Sequence, residues 1–241
     1  MDDRLRRRSV SQSFLLDLLL AQIEQWSSGR PDGAAGLRVV DLGGGTGGTS
    51  IKLASLGYRV TVIDPSPDAL ASLERRTDEA GLVGRIDGRQ GDASDLVALL
   101  GPAQADLVIC HRVLEVVDSP AAALSAVAEV LRPGGALSLV VAQRRSLVLS
   151  QALAGHFASA RRTWADPDRF DHDQILDLVI AAGLRPQISH GIGAIADHVP
   201  EALVEAESGA YSELSQLERE ISQDPAFRAL APYVHVFARP A

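Results

Sequence analysis

A glycine-rich stretch that follows a short apolar run is the part of the sequence best suited to bind a ligand. It runs from Val39 to Ser50 and reads VVDLGGGTGGTS, and the apolar residues 37–42 at its start predict a buried strand. Glycines allow a backbone to approach a ligand closely and to adopt conformations that other residues resist. A helix predicted from Thr49 to Leu56 would turn its unpaired N–H groups toward this turn. The pattern indicates the nucleotide-binding corner of a doubly wound α/β sheet.

Two classes of nucleotide-containing ligand are compatible with these glycines. The dinucleotide fingerprint, G-x-G-x-x-G, is satisfied from Gly43 to Gly48. The pattern typical of S-adenosylmethionine sites, D-x-G-x-G-x-G, is satisfied from Asp41 to Gly47 and includes Gly45. A glycine pattern alone does not separate the two, so the rest of the chain must decide.

Two acidic residues stand where predicted strands end. Asp64 closes a strand that begins at Tyr58 and lies about twenty residues after the first glycine, where a carboxylate can accept from ribose hydroxyls. Asp92 follows a weaker strand, residues 85–90, within Gly91-Asp92-Ala93. Each aspartate also has a purely structural interpretation as the cap of the helix that follows it.

A histidine follows the most apolar strand. Residues 106–110 predict a strand buried on both faces, and His111 comes directly after it. Because ligands of open α/β sheets bind at the carboxyl edge, His111 could pack on an adenine or on a substrate, or it could be structural. It is also the candidate general base if the reaction uses a hydroxyl nucleophile.

The remaining chain supplies the elements that would position these residues. Apolar residues at helical spacing predict a helix from Val10 to Trp26. A helix ending near Leu131 and stopped by Arg-Pro-Gly-Gly precedes a strand over 136–142, and residues 143–160 predict another helix. Further predicted elements are a polar segment over 161–168, a helix over 171–182, a strand over 184–190, an acidic helix over 200–223 and a strand over 233–239. We therefore expect a seven-stranded, mostly parallel sheet with a reversed last strand and helices on both faces.

Length and composition narrow the class of protein. The chain has 241 residues, 46% of them hydrophobic, which favours one globular domain. We place the cofactor-binding core at residues 37–142, with an N-terminal helix in 1–30 and substrate-side elements in 143–241. One cysteine, Cys110, excludes an internal disulfide, and no apolar run approaches the ~20 residues that span a bilayer. We expect a cytoplasmic protein with no metal and no membrane partner, and a net charge of −8 does not favour nucleic acid.

Four features together resemble class I S-adenosylmethionine-dependent methyltransferases. They are the glycine corner beginning at Asp41, Asp64, the Gly91-Asp92-Ala93 turn, and Leu131-Arg-Pro-Gly-Gly135 before a strand. A dehydrogenase would explain neither Asp92 nor the Pro-Gly-Gly turn. The resemblance implies S-adenosylmethionine as the cofactor and implies that Asp92 holds the adenine amino group.

A closer resemblance covers nearly the whole chain. The segments His111–Val117, Leu131–Leu139, Leu153–Phe157, Arg162-Thr163 and Tyr233–Arg239 are similar to the tRNA carboxymethoxyuridine methyltransferases. That family methylates the carboxylate of a modified wobble uridine. Together the two resemblances imply cofactor contacts at Arg8, Asp41, Gly43, Gly44, Gly45, Asp64, Asp92, Ala93 and His111. The chain departs from the closer family at Ala142-Gln143, where a Tyr-Asn pair is usual, and at Gly191–Ala194, where the family carries an arginine.

These resemblances lead to three candidate functions. The first is methylation of tRNA, with Arg144, Arg145, Arg161 and Arg162 as phosphate contacts. The second is O- or N-methylation of a small molecule, for which we expect an apolar pocket formed by residues 147–157 and Trp164. The third is cofactor binding without catalysis, or an interaction through the acidic helix. A carboxylate nucleophile is already ionised and needs no general base, so the sequence assigns no catalytic residue.

Overall fold

The computed structural model describes residues 3–29, 36–206 and 208–241. Side chains are described within these ranges except at 3–9, 201, 205 and 206, so the predicted contact of Arg8 lies outside the described side chains. Among the helices of these ranges, none has the length and apolar character needed to cross a lipid bilayer.

One mixed sheet of seven strands underlies the fold. Its strand order is β3-β2-β1-β4-β5-β7-β6, and β7 runs against the other strands. The strands are β1 (Arg38–Leu42), β2 (Arg59–Asp64), β3 (Ile86–Gln90), β4 (Ala105–His111), β5 (Leu131–Ala142), β6 (Leu184–Ile192) and β7 (Tyr233–Pro240). The prediction of a doubly wound, mostly parallel sheet with a reversed last strand is confirmed.

Eleven helices are found in the described ranges. They are α1 (Asp3–Ser27), α2 (Gly48–Ser55), α3 (Pro67–Glu79), α4 (Leu96–Leu100), α5 (Pro120–Val130), α6 (Arg144–Leu153), α7 (Phe157–Ala165), α8 (His172–Ala181), α9 (Glu201–Ala206), α10 (Ala210–Ile221) and α11 (Pro225–Leu230). The helices α3 and α5 both begin at a serine whose hydroxyl accepts from a backbone N–H, followed by proline at the first helical position. This combination fixes a helix start, because the hydroxyl satisfies a free donor and proline has none to leave unpaired.

The chain divides into two compact units. One comprises Gln22–Leu139, Leu176–Gln187 and Val236–Ala241, and contains β1 to β4 whole. Its core is built on β4, where every residue from Ala105 to Cys110 is buried, as expected for a strand covered on both faces. The other unit comprises the chain up to Ala21 together with Val140–Ile175 and Ile188–His235. Phe14, Leu18 and Ile192 form a buried cluster within it.

Three predicted elements differ from the structure. The strand β5 begins at Leu131, so the Arg-Pro-Gly-Gly segment belongs to the strand and does not separate it from the helix. The helix predicted over 143–160 is two helices, α6 and α7, because Gly155 adopts a φ of 77° between them. The acidic helix predicted over 200–223 is likewise divided into α9 and α10, with Gly209 at a φ of 97° before α10.

Candidate functional site

The register of the central strands brings three predicted residues to one edge of the sheet. Leu42 at the end of β1 pairs with Ile63 of β2 and with Cys110 of β4. The residues that follow these partners are Gly43, Asp64 and His111. Since the strands are parallel, their carboxyl ends meet, which is where open α/β sheets bind ligands.

The carboxylate of Asp64 is fixed by two backbone donors. Its Oδ2 accepts from the N–H of Gly45 at 2.8 Å and its Oδ1 from the N–H of Ser66 at 3.0 Å. Each carboxylate oxygen can accept two hydrogen bonds, so both retain one further acceptor position. Asp64 therefore links the glycine turn to the start of α3 and still offers an oriented acceptor suited to ribose hydroxyls.

Asp41 lies beneath the glycine turn. Its side chain is buried and its Oδ2 accepts from the hydroxyl of Ser50 at 2.5 Å. Burial raises the pKa of Asp41 to about 6, against the Ser50 hydrogen bond, and the charge of Asp64 adds a smaller increase. A Cβ atom at Gly44 would lie 2.7 Å from Cγ of Asp41. This arrangement suits support of the turn by Asp41, because its carboxylate faces Ser50 and the underside of the backbone.

Other contacts hold the turn in place from outside the glycine pattern. Gly43 has a φ of 71°, and a Cβ there would meet Cγ2 of Val113 at 2.7 Å. Arg76 of α3 donates from Nη1 to the carbonyl oxygen of Thr46 at 2.6 Å and lies 3.2 Å from its hydroxyl. The turn is thus enclosed by the segment after β4 on one side and tied to α3 on the other.

Asp92 is an exposed, ionised acceptor. Its Oδ1 accepts from the N–H and the hydroxyl of Ser94, at 2.7 and 2.6 Å. These hydrogen bonds, the hydroxyl first, hold the pKa of Asp92 below its usual value. The neighbouring Ala93 is buried. A carboxylate that is oriented by its own turn and open to solvent is suited to accept from an exocyclic amino group.

The imidazole of His111 has a hydroxyl partner on the neighbouring strand β5. Its Nε2 lies 2.9 Å from the hydroxyl of Ser138 on β5, within hydrogen-bond distance. Burial lowers the pKa of His111 to about 3. A base this weak would remove a proton poorly at neutral pH, since an efficient general base has a pKa near the operating pH. The geometry fits a packing or hydrogen-bonding group better than a general base.

The backbone distorts directly after His111. Arg112 has a φ of 61°, one of two positive values among the described non-glycine residues. Such a conformation is uncommon outside glycine and often marks a functional segment. Sequence pattern does not predict roles for Arg112, Ser138, Ser50 or Arg76. Ser138, Ser50 and Arg76 carry no local signal, because each acts through a partner on another element.

The four predicted substrate arginines lie in the second unit and fall into two pairs. Arg144 donates to Oδ2 of Asp171 at 2.6 Å, and Nε of Arg145 lies 3.6 Å from the same oxygen. Asp171 is buried, so the charge of Arg144 is compensated within the protein. Arg161 and Arg162 are exposed on α7. Of the four, Arg145, Arg161 and Arg162 are exposed to solvent, whereas Arg144 is half-buried.

The pocket beside α7 is polar, whereas the small-molecule hypothesis predicts an apolar pocket formed by residues 147–157 and Trp164. It has a volume of 530 Å³ and is lined by Gln151, Ser159, Arg162, Thr163, Ala165, Asp166 and Arg169. The apolar residues of the same segment, Leu153, Phe157 and Trp164, are each more than half exposed. Within the described residues, no group of three or more His, Cys, Asp or Glu side chains is placed to hold a metal ion.

Several features of the first unit suit an adenosine-bearing cofactor. Four of the five residues 43–47 are glycines, so side chains do not cover the turn, and the oriented carboxylates of Asp64 and Asp92 lie at or just after the ends of the adjacent strands β2 and β3. The exposed acceptor on Asp92 suits an adenine amino group, and the fixed acceptor on Asp64 suits ribose hydroxyls.

Comparison with known proteins agrees with this geometry. Residues 40–139 match the family described as "Methyltransferase domain". The chain is 29% identical over 211 residues to the tRNA 5-carboxymethoxyuridine methyltransferase of Escherichia coli (strain K12), covering 84% of this chain and 80% of that one. It is 32% identical over 164 residues to the ubiquinone biosynthesis O-methyltransferase of Caulobacter sp. (strain K31), covering 68% and 63%.

Similarity of fold extends to solved structures. Geranyl diphosphate methyltransferase in complex with S-adenosylmethionine superimposes with a TM-score of 0.61 and 18% sequence identity, covering 92% of this chain and 85% of that one. At this identity the match concerns the fold alone. Residues 40–139 therefore form a methyltransferase domain, and the chain is an S-adenosylmethionine-dependent methyltransferase.

Proposed function

We propose that this enzyme methylates the carboxylate of a modified wobble uridine in tRNA, forming a methyl ester. The observation that carries the proposal is the extent of the similarity to the tRNA enzyme. It covers 211 residues, whereas the methyltransferase domain spans residues 40–139. The agreement thus includes elements outside the cofactor core, which are the elements free to recognise a substrate.

In this proposal the residues of the glycine corner hold the cofactor. Gly43, Gly44 and Gly45 approach it with their backbone, Asp64 accepts from the ribose, and Asp92 and Ala93 contact the adenine. Asp41 supports the turn, and His111 packs at the strand edge in its neutral form. The cofactor supplies an electrophilic methyl group that is transferred in an in-line displacement.

The protein contributes mainly alignment and exclusion of water. Holding two reactants in register can lower a barrier by ~7–11 kcal/mol in favourable cases. A carboxylate nucleophile is ionised at neutral pH, so no residue has to remove a proton from it. This requirement agrees with the pKa of about 3 at His111, which makes that side chain a poor base.

Cellular location and domain limits belong to the same proposal. We propose that the enzyme acts in the cytoplasm, and its cysteine, Cys110, is buried and free as expected under reducing conditions. We also propose residues 37–142 as the cofactor-binding core of a single methyltransferase domain, with substrate recognition by residues 143–241.

The alternative is methylation of a small molecule. The similarity to the ubiquinone biosynthesis O-methyltransferase and the net charge of −8 favour it. The polar pocket beside α7 does not favour an apolar metabolite, since binding sites for apolar metabolites are lined mainly by apolar side chains.

Methyl transfer into tRNA tests the proposal directly. The substrate is bulk tRNA from cells that lack this protein, incubated with labelled S-adenosylmethionine and the full chain. We expect label in the tRNA, loss of label with Asp64→Ala, and full transfer with Asp68→Ala, an exposed aspartate of α3. If calorimetry shows cofactor binding but the tRNA stays unlabelled, the tRNA assignment is wrong and the small-molecule alternative replaces it.

A further inference from the structure

One face of α7 carries an exposed series of aromatic and basic side chains. Phe157, Arg161 and Trp164 are spaced i, i+4 and i+7, which places them on the same side of a helix. Phe157 is 66% exposed and Trp164 is 57% exposed, while Ala160 and Thr163 form the buried side of the helix. Large exposed aromatic side chains at regular spacing mark a binding surface more often than a solvated face.

The ring of Trp164 is held by a chain of contacts that ends in the protein interior. The guanidinium of Arg144 lies 5.3 Å from the ring centroid, and Arg144 donates to the buried carboxylate of Asp171. A cation over the ring face is attracted by its quadrupole. The ring is therefore oriented before any ligand arrives, which lowers the entropy lost on binding.

The surroundings of this face are basic within an acidic protein. Residues 144–169 contain five arginines against two aspartates, whereas the whole chain has a net charge of −8. On the opposite side of α7 lies the 530 Å³ pocket, where Arg162 and Arg169 are exposed and Ser159 and Thr163 provide hydroxyls. Arg162 faces this pocket and donates from Nη2 to the hydroxyl of Ser159 at 2.9 Å, so Arg161 is the α7 arginine that shares the side of the two aromatic rings.

Two exposed aromatic rings with an arginine between them, in a locally basic segment, fit one class of ligand. Unpaired bases stack on aromatic rings and on guanidinium planes, and phosphates pair with arginine. Phe157 and Trp164 are about 10 Å apart along the helix axis, so their rings would serve different nucleotides.

We propose that the face formed by Phe157, Arg161 and Trp164, here called the α7 face, binds unpaired nucleotides of RNA. Bases stack on Phe157 and Trp164, and a backbone phosphate contacts Arg161. The inference rests on the proposed function, because it assigns to the tRNA substrate a specific contact surface. It changes the expected role of Arg144, which orients Trp164 and does not contact phosphate.

Binding of RNA by the full chain tests the α7 face. We would titrate a fluorescent anticodon stem-loop, and a fully paired duplex of equal length, and follow anisotropy. We expect Trp164→Leu and Phe157→Ala each to raise the Kd for the stem-loop by about tenfold, whereas Trp164→Phe keeps a ring and restores most of the affinity. Tyr211→Ala is the matched control, since this exposed aromatic residue lies on α10.

Salt dependence separates phosphate contacts from stacking. For single strands the slope of log K against log salt changes by about 0.7 for each phosphate neutralised. Arg161→Ala should reduce the slope by that amount, whereas Arg162→Ala, on the opposite side of α7, should leave it unchanged. The two aromatic variants should weaken binding and leave the slope unchanged.

The outcomes distinguish this inference from the proposed function. If the wild type methylates tRNA but the α7 variants bind the stem-loop as tightly as wild type, the α7 face is wrong and the function stands. If RNA binds through Trp164 without methyl transfer, the function is wrong and the α7 face stands. Absence of RNA binding by the wild type overturns the α7 face, and a loss of self-association in the same variants would assign it to a protein contact.

Discussion

At the scale of single residues, the candidate site includes a buried group that contacts the glycine turn from beneath. This group is Asp41, a buried carboxylate with a hydroxyl partner and a backbone turn resting against it. Its burial is unfavourable for the charged form, and this is what raises its pKa to about 6. The ionised carboxylate of Asp41 therefore lowers the stability of the folded state, although it lies beneath the turn of the candidate cofactor site.

The titration of Asp41 predicts how stability depends on pH. An unfolded aspartate loses its proton near pH 4 and the folded Asp41 near pH 6, so the folded state binds more protons between these values. The contribution of Asp41 is therefore fully present below pH 4 and is lost as pH rises through 6. We expect the free energy of unfolding of Asp41→Asn, relative to wild type, to rise by up to ~3 kcal/mol from pH 4 to pH 7.

Urea denaturation at a series of pH values measures this difference. Asp68→Asn provides the control, because Asp68 is exposed and should show no such rise. Parallel pH curves for Asp41→Asn and wild type would contradict the burial argument.

The glycines of the corner should differ sharply in their tolerance of alanine. A Cβ at Gly44 would lie 2.7 Å from Asp41 and 2.9 Å from Val62, whereas a Cβ at Gly48 has nothing within 4 Å. We expect Gly44→Ala to weaken S-adenosylmethionine binding at least tenfold by displacing the turn, and Gly48→Ala to bind as wild type. Isothermal calorimetry with both variants measures the contrast. Equal affinities would mean that the turn adapts to a side chain.

The sequence predicts the residues whose signal is local and misses those that act from a distance. Gly43, Asp64 and His111 are predictable because each closes or directly follows a predicted strand, and parallel register then aligns the strand ends. Ser138 could not be identified, because its role is a contact with His111 that lies 27 residues away. Arg76 and Thr46 are 30 residues apart in the sequence, so no local sequence pattern predicts their contact.

At the scale of elements, the α6–α7 pair shows where sequence periodicity is insufficient. Residues 143–160 have the composition of one helix, but a glycine with positive φ divides it and turns the chain back. The consequence is functional, because α7 begins at Phe157 and presents Trp164 two turns later. A continuous helix would have placed both residues differently and left no basis for the α7 face.

The ion pair that ties α6 to the residue before α8 should be important for stability. Asp171 is buried and accepts from Arg144 of α6. Removing one partner of a buried pair leaves the other charge uncompensated, so we expect Asp171→Ala to lower the free energy of unfolding by about 3 kcal/mol. Asp166→Ala breaks an exposed pair with Arg169 and should cost less than about 1 kcal/mol.

Chemical denaturation of the two aspartate variants gives these values. The Asp171 variant should also show a more mobile Trp164, seen as reduced fluorescence anisotropy of the indole, because Arg144 no longer orients the ring. Similar losses of stability in both variants would show that burial does not distinguish the pairs.

At the scale of the whole molecule, charge is unevenly distributed along the chain. The net charge of −8 alone does not favour nucleic acid, yet residues 144–169 are locally basic and partly arranged on one helix face. Phosphate binding depends on the local footprint, so the total charge is a poor guide for a protein that binds RNA with one segment. Composition could not show this, because it carries no information on which charges share a face.

At the same scale, S-adenosylmethionine should stabilise the folded chain when it binds. A ligand that binds only the folded state adds RT ln(1 + [L]/Kd) to stability, about 2.7 kcal/mol at a concentration of 100 Kd. We expect S-adenosylmethionine to raise the free energy of unfolding by this amount in wild type and in Asp68→Ala, and not at all in Asp64→Ala at the same concentration. Hydrogen exchange should locate the effect, with slower exchange at the amides of Gly45 and Ser66, which donate to Asp64. Protection confined to α6 and α7 would contradict the assignment of the glycine corner, because those helices contain none of the residues proposed to hold the cofactor.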